Sequence, residues 1–224
     1  MRIKYKPITG YTLVYYTIRK DLNLSLTSYV VLDYIFHSRN NENVSDLKIN
    51  YMTKQLVMSR NTIKSHINKL QMLGLISNKE KPYKIEINEE VRRRFVNARE
   101  SNQKYLIIFH EIRKAYNLSI TKAGLLYLMY SLRSGSGRCF AQHNFYCQHV
   151  NIKKSQYYKA TDDLIHSKLI CIDENGYMVK KEIRYFISKY FESFGNRKKT
   201  KQISKRLRCT KSYDKKRNFE NDYL

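Results

Sequence analysis

Residues 59–77 read SRNTIKSHINKLQMLGLIS. Ser59 is a good N-cap for a helix over Arg60–Leu73, because its hydroxyl can accept a hydrogen bond from the first turn. Apolar residues then recur at steps of four, three and three, which predicts one buried stripe: Ile63, Ile67, Leu70 and Leu73. Gly74 predicts the end of the helix. Leu75-Ile76-Ser77 predicts a short strand.

Two more helices and a second strand are predicted around this stretch. Thr27 is the expected N-cap of a helix that runs to about Ser38, and another helix fits Asn50–Val57. Lys84–Ile87 predicts the second strand, with Asn78–Tyr83 as the loop between the strands. Three helices followed by a two-stranded hairpin is the layout of a winged helix-turn-helix domain.

The chain also contains an internal repeat. When the sequence is shifted by 94 residues, Tyr11–Ile85 falls on Tyr105–Val179 without a gap. In that alignment 16 of 75 positions are identical, where chance gives roughly one in fifteen. Ile18-Arg19-Lys20, for example, meets Ile112-Arg113-Lys114. The unbroken register predicts two copies of one domain.

The second copy repeats the predicted elements. Its helices are expected at Thr121–Leu132, Asn144–Val150 and Lys154–Ser167, and its strands at Leu169–Ile172 and Tyr177–Lys180 with an Asn175-Gly176 turn. We therefore expect a mainly α fold with small β-hairpins (α+β). One winged-helix domain would cover residues 11–88, and a second would cover residues 105–182. A basic linker, residues 89–104, would join them and contain a short helix.

Residues 190–224 have a different composition. Gly195–Arg217 holds eleven Lys or Arg residues and a single acid, Asp214. Because so few apolar residues are present, this part cannot bury enough surface to order itself. We expect a flexible basic tail whose contribution to DNA binding is independent of sequence and falls steeply with salt.

The quoted stretch resembles the turn, recognition helix and first wing strand of winged helix-turn-helix proteins, with their usual Leu-Gly-Leu-Ile ending. Asn117–Ile170 resembles the N-terminal domains of phage replisome organisers and plasmid replication initiators. The doubled arrangement is similar to plasmid initiators made of two winged-helix domains. The second copy departs from the pattern at Lys168, which stands where Gly74 does, and at Asp162-Asp163 on its recognition helix.

Charge points to a polyanionic partner. The 224 residues carry 43 Lys and Arg against 19 Asp and Glu, a formal net charge of +24. Nucleic acid is the first candidate and an anionic membrane surface the second. Charge alone does not choose between DNA and RNA. Hydrophobic residues make up 42% of the chain, which is enough for a core. No signal peptide or membrane span is predicted, so we expect a cytoplasmic, nucleoid-associated protein with reduced cysteines.

The first recognition helix supplies the strongest candidate contacts. Arginine pairs well with guanine and asparagine with adenine in the major groove, while lysines more often contact phosphate. The outward residues are Arg60, Asn61, Thr62, Lys64, Ser65, Asn68 and Lys69. The first wing is basic and adds Lys79 and Lys81, and the tail adds Arg197, Lys198 and Lys199. The alternative is a solvated polar helix face.

The second recognition helix has a less uniform charge. Its candidate contacts are Lys153, Lys154, Ser155, Gln156, Tyr158 and Lys159. Asp162 and Asp163 should turn the far end of the helix away from phosphate, and the second wing, Asp173–Gly176, is acidic. A protein-binding surface is therefore as well supported here as a DNA contact.

Catalytic and metal sites are not predicted. Cys139, His143 and Cys147 lack the paired Cys-x-x-Cys spacing of zinc sites. No Gly-rich phosphate loop suggests an ATPase, and no His-apolar-His pair suggests a rolling-circle nickase. We expect no enzymatic activity, no cofactor and no metal.

The expected function is sequence-specific binding of double-stranded DNA. Replication initiation on a phage, plasmid or mobile element comes first, with the replicative helicase, its loader or primase as candidate partners. A winged-helix transcriptional regulator is the alternative, and a non-specific nucleic-acid-binding or adaptor protein is the weaker one. The chain would act as a monomer with two pseudo-symmetric DNA-binding domains or as a homodimer, without a membrane partner.

Overall fold

A computed structural model of the chain describes residues 10–40, 43–79, 84–101, 103–174, 176–185 and 187–188. Helices dominate, and the strands form small antiparallel sheets. This confirms the expected α+β class.

The elements fall into two runs with the same order. The first run is β1 (Tyr11–Tyr15), α1 (Tyr16–Asp21), α2 (Leu26–Ser38), β2 (Val44–Asp46), α3 (Ile49–Leu56), α4 (Arg60–Met72), β3 (Ile76–Asn78) and β4 (Lys84–Ile87). After α5 (Glu89–Glu100), the second run is β5 (Tyr105–Phe109), α6 (His110–Ala115), α7 (Ile120–Leu132), β6 (Arg138–Cys139), α8 (His143–Val150), α9 (Lys154–His166), β7 (Ile170–Asp173) and β8 (Gly176–Val179). The first seven elements of the second run each begin 94 residues after their counterparts, as Tyr105 follows Tyr11.

Contacts divide the chain into two units. One contains the described part of residues 1–127 together with residues 143–160, and the other contains residues 128–142 and the described part of residues 161–224. The first unit thus holds all of the first run, α5, β5, α6 and α8, and the beginnings of α7 and α9. The second unit holds the ends of α7 and α9 and the sheet of β6, β7 and β8.

Helix α2 lies at the centre of the first unit. Ten of its thirteen residues are buried, and a helix buried on all sides carries apolar residues all round. Phe36 stacks on Phe95 of α5 with ring centroids 4.5 Å apart, and Tyr29 packs on the same ring at 5.7 Å. The segment expected as a linker therefore supplies core side chains, of which Val91, Phe95 and Ala98 are buried.

Helix α4 packs on α2 through the predicted stripe. Ile63, Ile67 and Leu70 are almost fully buried. Leu73, predicted to complete the stripe, is 48% exposed, because the helix ends at Met72 and Leu73 is its C-cap. Gly74 has a left-handed φ of +65° and ends the helix as predicted. Its N–H donates to the carbonyl of Gln71, and the N–H of Leu75 donates to the carbonyl of Leu70.

The start of α2 also differs from expectation. Ser25, not Thr27, is the N-cap, and its hydroxyl accepts a hydrogen bond from Ser28 N–H. Both residues are good caps, so the pattern did not distinguish them. Behind α2 the strands form an antiparallel sheet in the order β2-β4-β3. The short strand β2 was not predicted, so the hairpin is the larger part of a three-stranded sheet.

The pairing of β1 with β5 joins the two runs within the first unit. The strands are antiparallel, with Tyr11 opposite Phe109, Leu13 opposite Ile107 and Tyr15 opposite Tyr105. Neither strand was predicted, nor were the one-turn helices α1 and α6 that follow them. The two segments, YTLVY and YLIIF, do not alternate between apolar and polar residues, so they carry no strand period.

Two buried arginines add to this connection. Arg19 of α1 donates to the carbonyl of Gln148 in α8 (2.9 Å), and Arg113 of α6 donates to the carbonyls of Leu56 (2.6 Å) and Val57 (3.2 Å) at the end of α3. Burial lowers the pKa of Arg113 to about 10, so it stays charged at neutral pH. Each arginine thus caps the C-terminal end of a helix in the other run, where a cation is favourable.

The second unit contains the sheet in the order β6-β8-β7. Leu164, Ile170 and Val179 supply buried apolar side chains. Gly176 has a φ of +110°, and a Cβ there would lie 2.8 Å from the carbonyl oxygen of Cys139, so this position requires glycine. Its predicted turn partner Asn175 lies outside the described residues.

Candidate nucleic-acid interface

Helices α3 and α4 are joined by a three-residue turn. Val57 ends α3 with a left-handed φ of +49°, and Met58 N–H donates to the carbonyl of Thr53. Ser59 then begins α4 as predicted, since its hydroxyl accepts from Thr62 N–H at 3.1 Å. Because α3 buries Ile49, Met52 and Leu56, this turn holds α4 at a fixed angle with its polar face outward.

The outward face of α4 contains most of the predicted contacts. The exposed side chains are Arg60, Asn61, Ser65, Asn68 and Lys69, and Lys64 is half-buried. Asn61, Ser65 and Asn68 are four and three residues apart and so share one face. Within the described residues, no hydrogen bond or ion pair engages these six side chains. They are therefore open to a ligand.

Thr62 has a local partner. Its hydroxyl lies 2.8 Å from the Ser59 hydroxyl, and its backbone N–H bonds the same atom. The residue belongs to the cap of α4, although it was predicted as a contact. His66 lies where α4 faces α2, with Nδ1 2.9 Å from the Ser28 hydroxyl on α2. Burial, reinforced by Lys69, lowers the pKa of His66, so this hydrogen bond holds α4 through a neutral ring.

A groove beside α4 was missed by the sequence analysis. It has a volume of about 510 Å³ and is lined by Leu47, Lys48, Ile49, Asn50, Tyr51, Lys54 and Arg60. Three of these residues are cations and none is an acid. Tyr51 is 42% exposed. A concave surface with one sign of charge concentrates oppositely charged ligands, so the groove suits phosphate. The sequence did contain one signal for this groove. Leu47, Tyr51 and Lys54 are spaced by four and three residues, a spacing typical of residues on one face of a helix.

The corresponding part of the second run is built differently. Gln142 and Gln148 stand 94 residues after Lys48 and Lys54. Phe145, the counterpart of Tyr51, stacks on His149 with ring centroids 3.8 Å apart. The second run therefore lacks two of the cations, and its aromatic side chain already has a partner.

Helix α9 nevertheless exposes all the predicted contacts of the second run, Lys153, Lys154, Ser155, Gln156, Tyr158 and Lys159. Gln156 is engaged, because its Oε1 accepts from Lys153 N–H at 3.0 Å. Lys154 Nζ lies 5.9 Å from the centre of the Tyr158 ring. Lys168 takes the place of the glycine stop with a φ of +56°.

The structure describes the two wings only in part. Lys79 is half-buried, and its backbone N–H donates to the carbonyl of Lys84 at 2.7 Å. Lys81 and the tail residues Arg197, Lys198 and Lys199 lie outside the described residues. In the second unit Arg138 pairs with Asp173 at 2.7 Å, which offsets part of the acidity of that wing.

Two of the four arginines of α5 form ion pairs among the described residues. Arg92 pairs with Glu89, and Arg94 pairs with Glu90 and Asp21. These hydrogen bonds lower the pKa of both glutamates. Neighbouring acids therefore offset part of the positive charge of residues 89–104.

Metal and membrane features are not found in the part of the chain that the structure describes. No group of three or more His, Cys, Asp or Glu residues there could hold a metal ion. Cys139 is buried, and its thiol donates to the carbonyl of Met129 at 2.6 Å. Burial raises the pKa of Cys147. No helix in the described ranges has the length and apolar character needed to cross a membrane.

Comparison with protein-family models gave no match, and neither did comparison with curated proteins or with solved structures.

Proposed function

We propose that this chain is a sequence-specific double-stranded DNA-binding protein without enzymatic activity, built from two winged-helix domains that arose by internal duplication. The observation that carries the proposal is the face of α4, where Arg60, Asn61, Ser65 and Asn68 are exposed without partners among the described residues. Such side chains can form paired hydrogen bonds to base edges in a major groove.

The order of the elements supports a winged-helix fold. Three helices, α2, α3 and α4, are followed by the hairpin of β3 and β4, with β2 added at the open side of β4. In helix-turn-helix proteins the second helix of the turn enters the major groove, and the first lies across the backbone. Here α4 would read bases, while α3 would present Lys48 and Lys54 to phosphate.

The duplication is supported by the constant spacing of the elements. Seven successive elements of the second run begin 94 residues after their counterparts in the first. Positive φ values at residues other than glycine recur at the same interval. Asn23 and Asn117 have φ values of +45° and +48°, and Val57 and Asn151 have +49° and +55°.

The direct test is selection of bound duplexes from a random DNA library at physiological salt, with the full chain. We expect one enriched sequence, and the part of it that α4 contacts should lose its preference when Arg60 and Asn61 are both replaced by alanine. Lys20→Gln is a matched control, because it also removes one positive charge, from an exposed residue of α1 that lies outside the helix-turn-helix. Recovery without any sequence preference would refute the proposal. Binding of the same chain to RNA and to anionic vesicles, measured at the same salt, tests the two alternative partners.

Replication initiation on a mobile element is the role we propose for this binding, and it rests on the resemblance to replisome organisers and plasmid initiators. An initiator should recruit a helicase, its loader or primase to repeated origin sites, whereas a regulator should bind beside a promoter. Capture of one of these replication proteins on the bound site would support the first role. Binding that only blocks a promoter would support the second.

A further inference from the structure

The pairing between β1 and β5 is symmetric under the repeat. Tyr11 lies opposite Phe109, and Tyr15 lies opposite Tyr105. In the repeat, Tyr11 corresponds to Tyr105 and Tyr15 corresponds to Phe109. If each residue of the first pair is replaced by its counterpart, the second pair results. At the centre Leu13 lies opposite Ile107, which is its own counterpart 94 residues later in the chain. An antiparallel ladder that is mapped onto itself in this way has a two-fold axis at its central pair.

The buried arginines follow the same symmetry independently. The shift takes Arg19 to Arg113, and each contacts the end of the helix before the turn in the other run. Those two acceptors, the carbonyls of Gln148 and Leu56, lie in the same last turn of the helix but are not counterparts, because Gln148 corresponds to Lys54. The other acceptors are counterparts: Arg19 donates to the carbonyl of Leu24 (3.4 Å), and Arg113 donates to that of Leu118 (3.2 Å). The contacts are therefore reciprocal.

Reciprocal contact distinguishes a two-fold relation from a head-to-tail one. In a head-to-tail arrangement each copy uses one surface to bind the copy before it and a different surface to bind the copy after it. The second copy would then have one of these surfaces free to bind a third copy. Here β1 pairs with its own counterpart β5, and Arg19 and Arg113 each contact the other run, all within the first unit. Neither run therefore leaves its copy of these contacts open for a third copy. The interface is closed, as in an isologous dimer.

We infer that the DNA target is an imperfect inverted repeat, with one half-site for each run; this inference rests on the proposed function. The two strands of a duplex are related by two-fold axes perpendicular to it, so a two-fold pair of reading helices meets half-sites in inverted orientation. The two half-sites differ because the exposed residues differ. Arg60 and Asn61 correspond to Lys154 and Ser155, and Ser65 corresponds to Lys159.

The test uses the full chain and the duplex selected from the random library. Three duplexes are synthesised with the same half-sites and spacing, one inverted, one with the second half-site reversed to give a direct repeat, and one with the second half-site scrambled. We expect the inverted duplex to bind at least about tenfold more tightly than either of the others. Arg60→Ala with Asn61→Ala should relax the sequence of one half-site only, and the corresponding change in the second run, Lys154→Ala with Ser155→Ala, should relax the other.

Each alternative outcome is informative. Equal or tighter binding of the direct repeat would overturn the inference and leave the proposed function in place. So would selection of a single unrepeated half-site. Recovery of no preferred sequence would overturn both.

Discussion

Arg113 is 3% exposed, and its guanidinium serves three groups. It contacts four acceptors in three places: the two carbonyls at the end of α3, the carbonyl of Leu118 and His110 Nδ1. Replacing it with methionine keeps much of the volume but leaves those acceptors buried without donors, and each unsatisfied group costs about 1–3 kcal/mol. We predict that Arg113→Met lowers the free energy of unfolding by at least about 3 kcal/mol, measured by urea denaturation.

The neighbouring Lys114 provides the control for that measurement. It is exposed on the same helix, and exposed substitutions usually change stability by less than about 0.5 kcal/mol. If Arg113→Met were no more destabilising than Lys114→Met, the reciprocal contacts of the arginines would not hold the two runs together.

His110 makes stability depend on pH. Arg113 donates to its Nδ1 (3.0 Å), so Nε2 carries the proton and donates to the Thr12 hydroxyl (3.0 Å). Burial and the charge of Arg113 lower the pKa of His110 to about 3, whereas the unfolded value is about 6.5. The folded state therefore favours the neutral ring. This stabilisation is complete above pH 6.5 and is lost as the pH falls from about 6.5 towards 3.

We predict that His110→Gln flattens this decline. A shift of this size corresponds to a loss on the order of 4 kcal/mol across the interval. His66 and His149, whose pKa values are also lowered by burial, should leave a smaller decline of the same sign in the variant. The measurement is the free energy of unfolding of both proteins at several pH values between 3 and 7. Parallel curves would contradict the assignment.

At the scale of the elements, the groove between α3 and α4 makes a separable prediction. Lys48→Gln with Lys54→Gln introduces the residues that the second run carries at these positions. If the two lysines contact phosphate, the variant should bind all duplexes more weakly. Its slope of log affinity against log salt should fall by about one to two, because each phosphate contact contributes about 0.9. The enriched sequence should not change.

Lys20→Gln with Lys114→Gln is the matched control, since both lysines are exposed on the one-turn helices. A salt slope that changes equally in the control and in the groove variant would show that net charge alone matters. The groove would then have no specific role.

The elements differ in how much the sequence revealed. Helix α4 was predictable because Ser59, the stripe from Ile63 to Leu70 and Gly74 all point to the same boundaries. Strands β1 and β5 were not, since Tyr11–Tyr15 and Tyr105–Phe109 are short apolar runs that gain their structure only by pairing with each other. The groove was missed because it depends on how Lys48 and Tyr51 stand beside Arg60, which periodicity does not give.

For the whole molecule, the sequence revealed the repeat but not its symmetry. The alignment shows which residues correspond, such as Arg19 and Arg113, yet the same correspondence fits a two-fold or a head-to-tail arrangement. The register at Leu13 and Ile107 selects the two-fold. The packing of α5 through Phe95 was also not predicted, because the many charged residues of this segment suggested an exposed linker.

The most direct measurement compares the affinities of the full chain for its selected duplex and for a scrambled duplex at physiological salt. We predict a ratio of at least about 10³, as for specific DNA-binding proteins. Replacing Arg60 and Asn61 with alanine should reduce that ratio by at least about 30-fold, since each base contact is worth about 1–3 kcal/mol. The affinity for the scrambled duplex should change far less. A double variant that kept the full ratio would contradict the claim that α4 reads the DNA sequence.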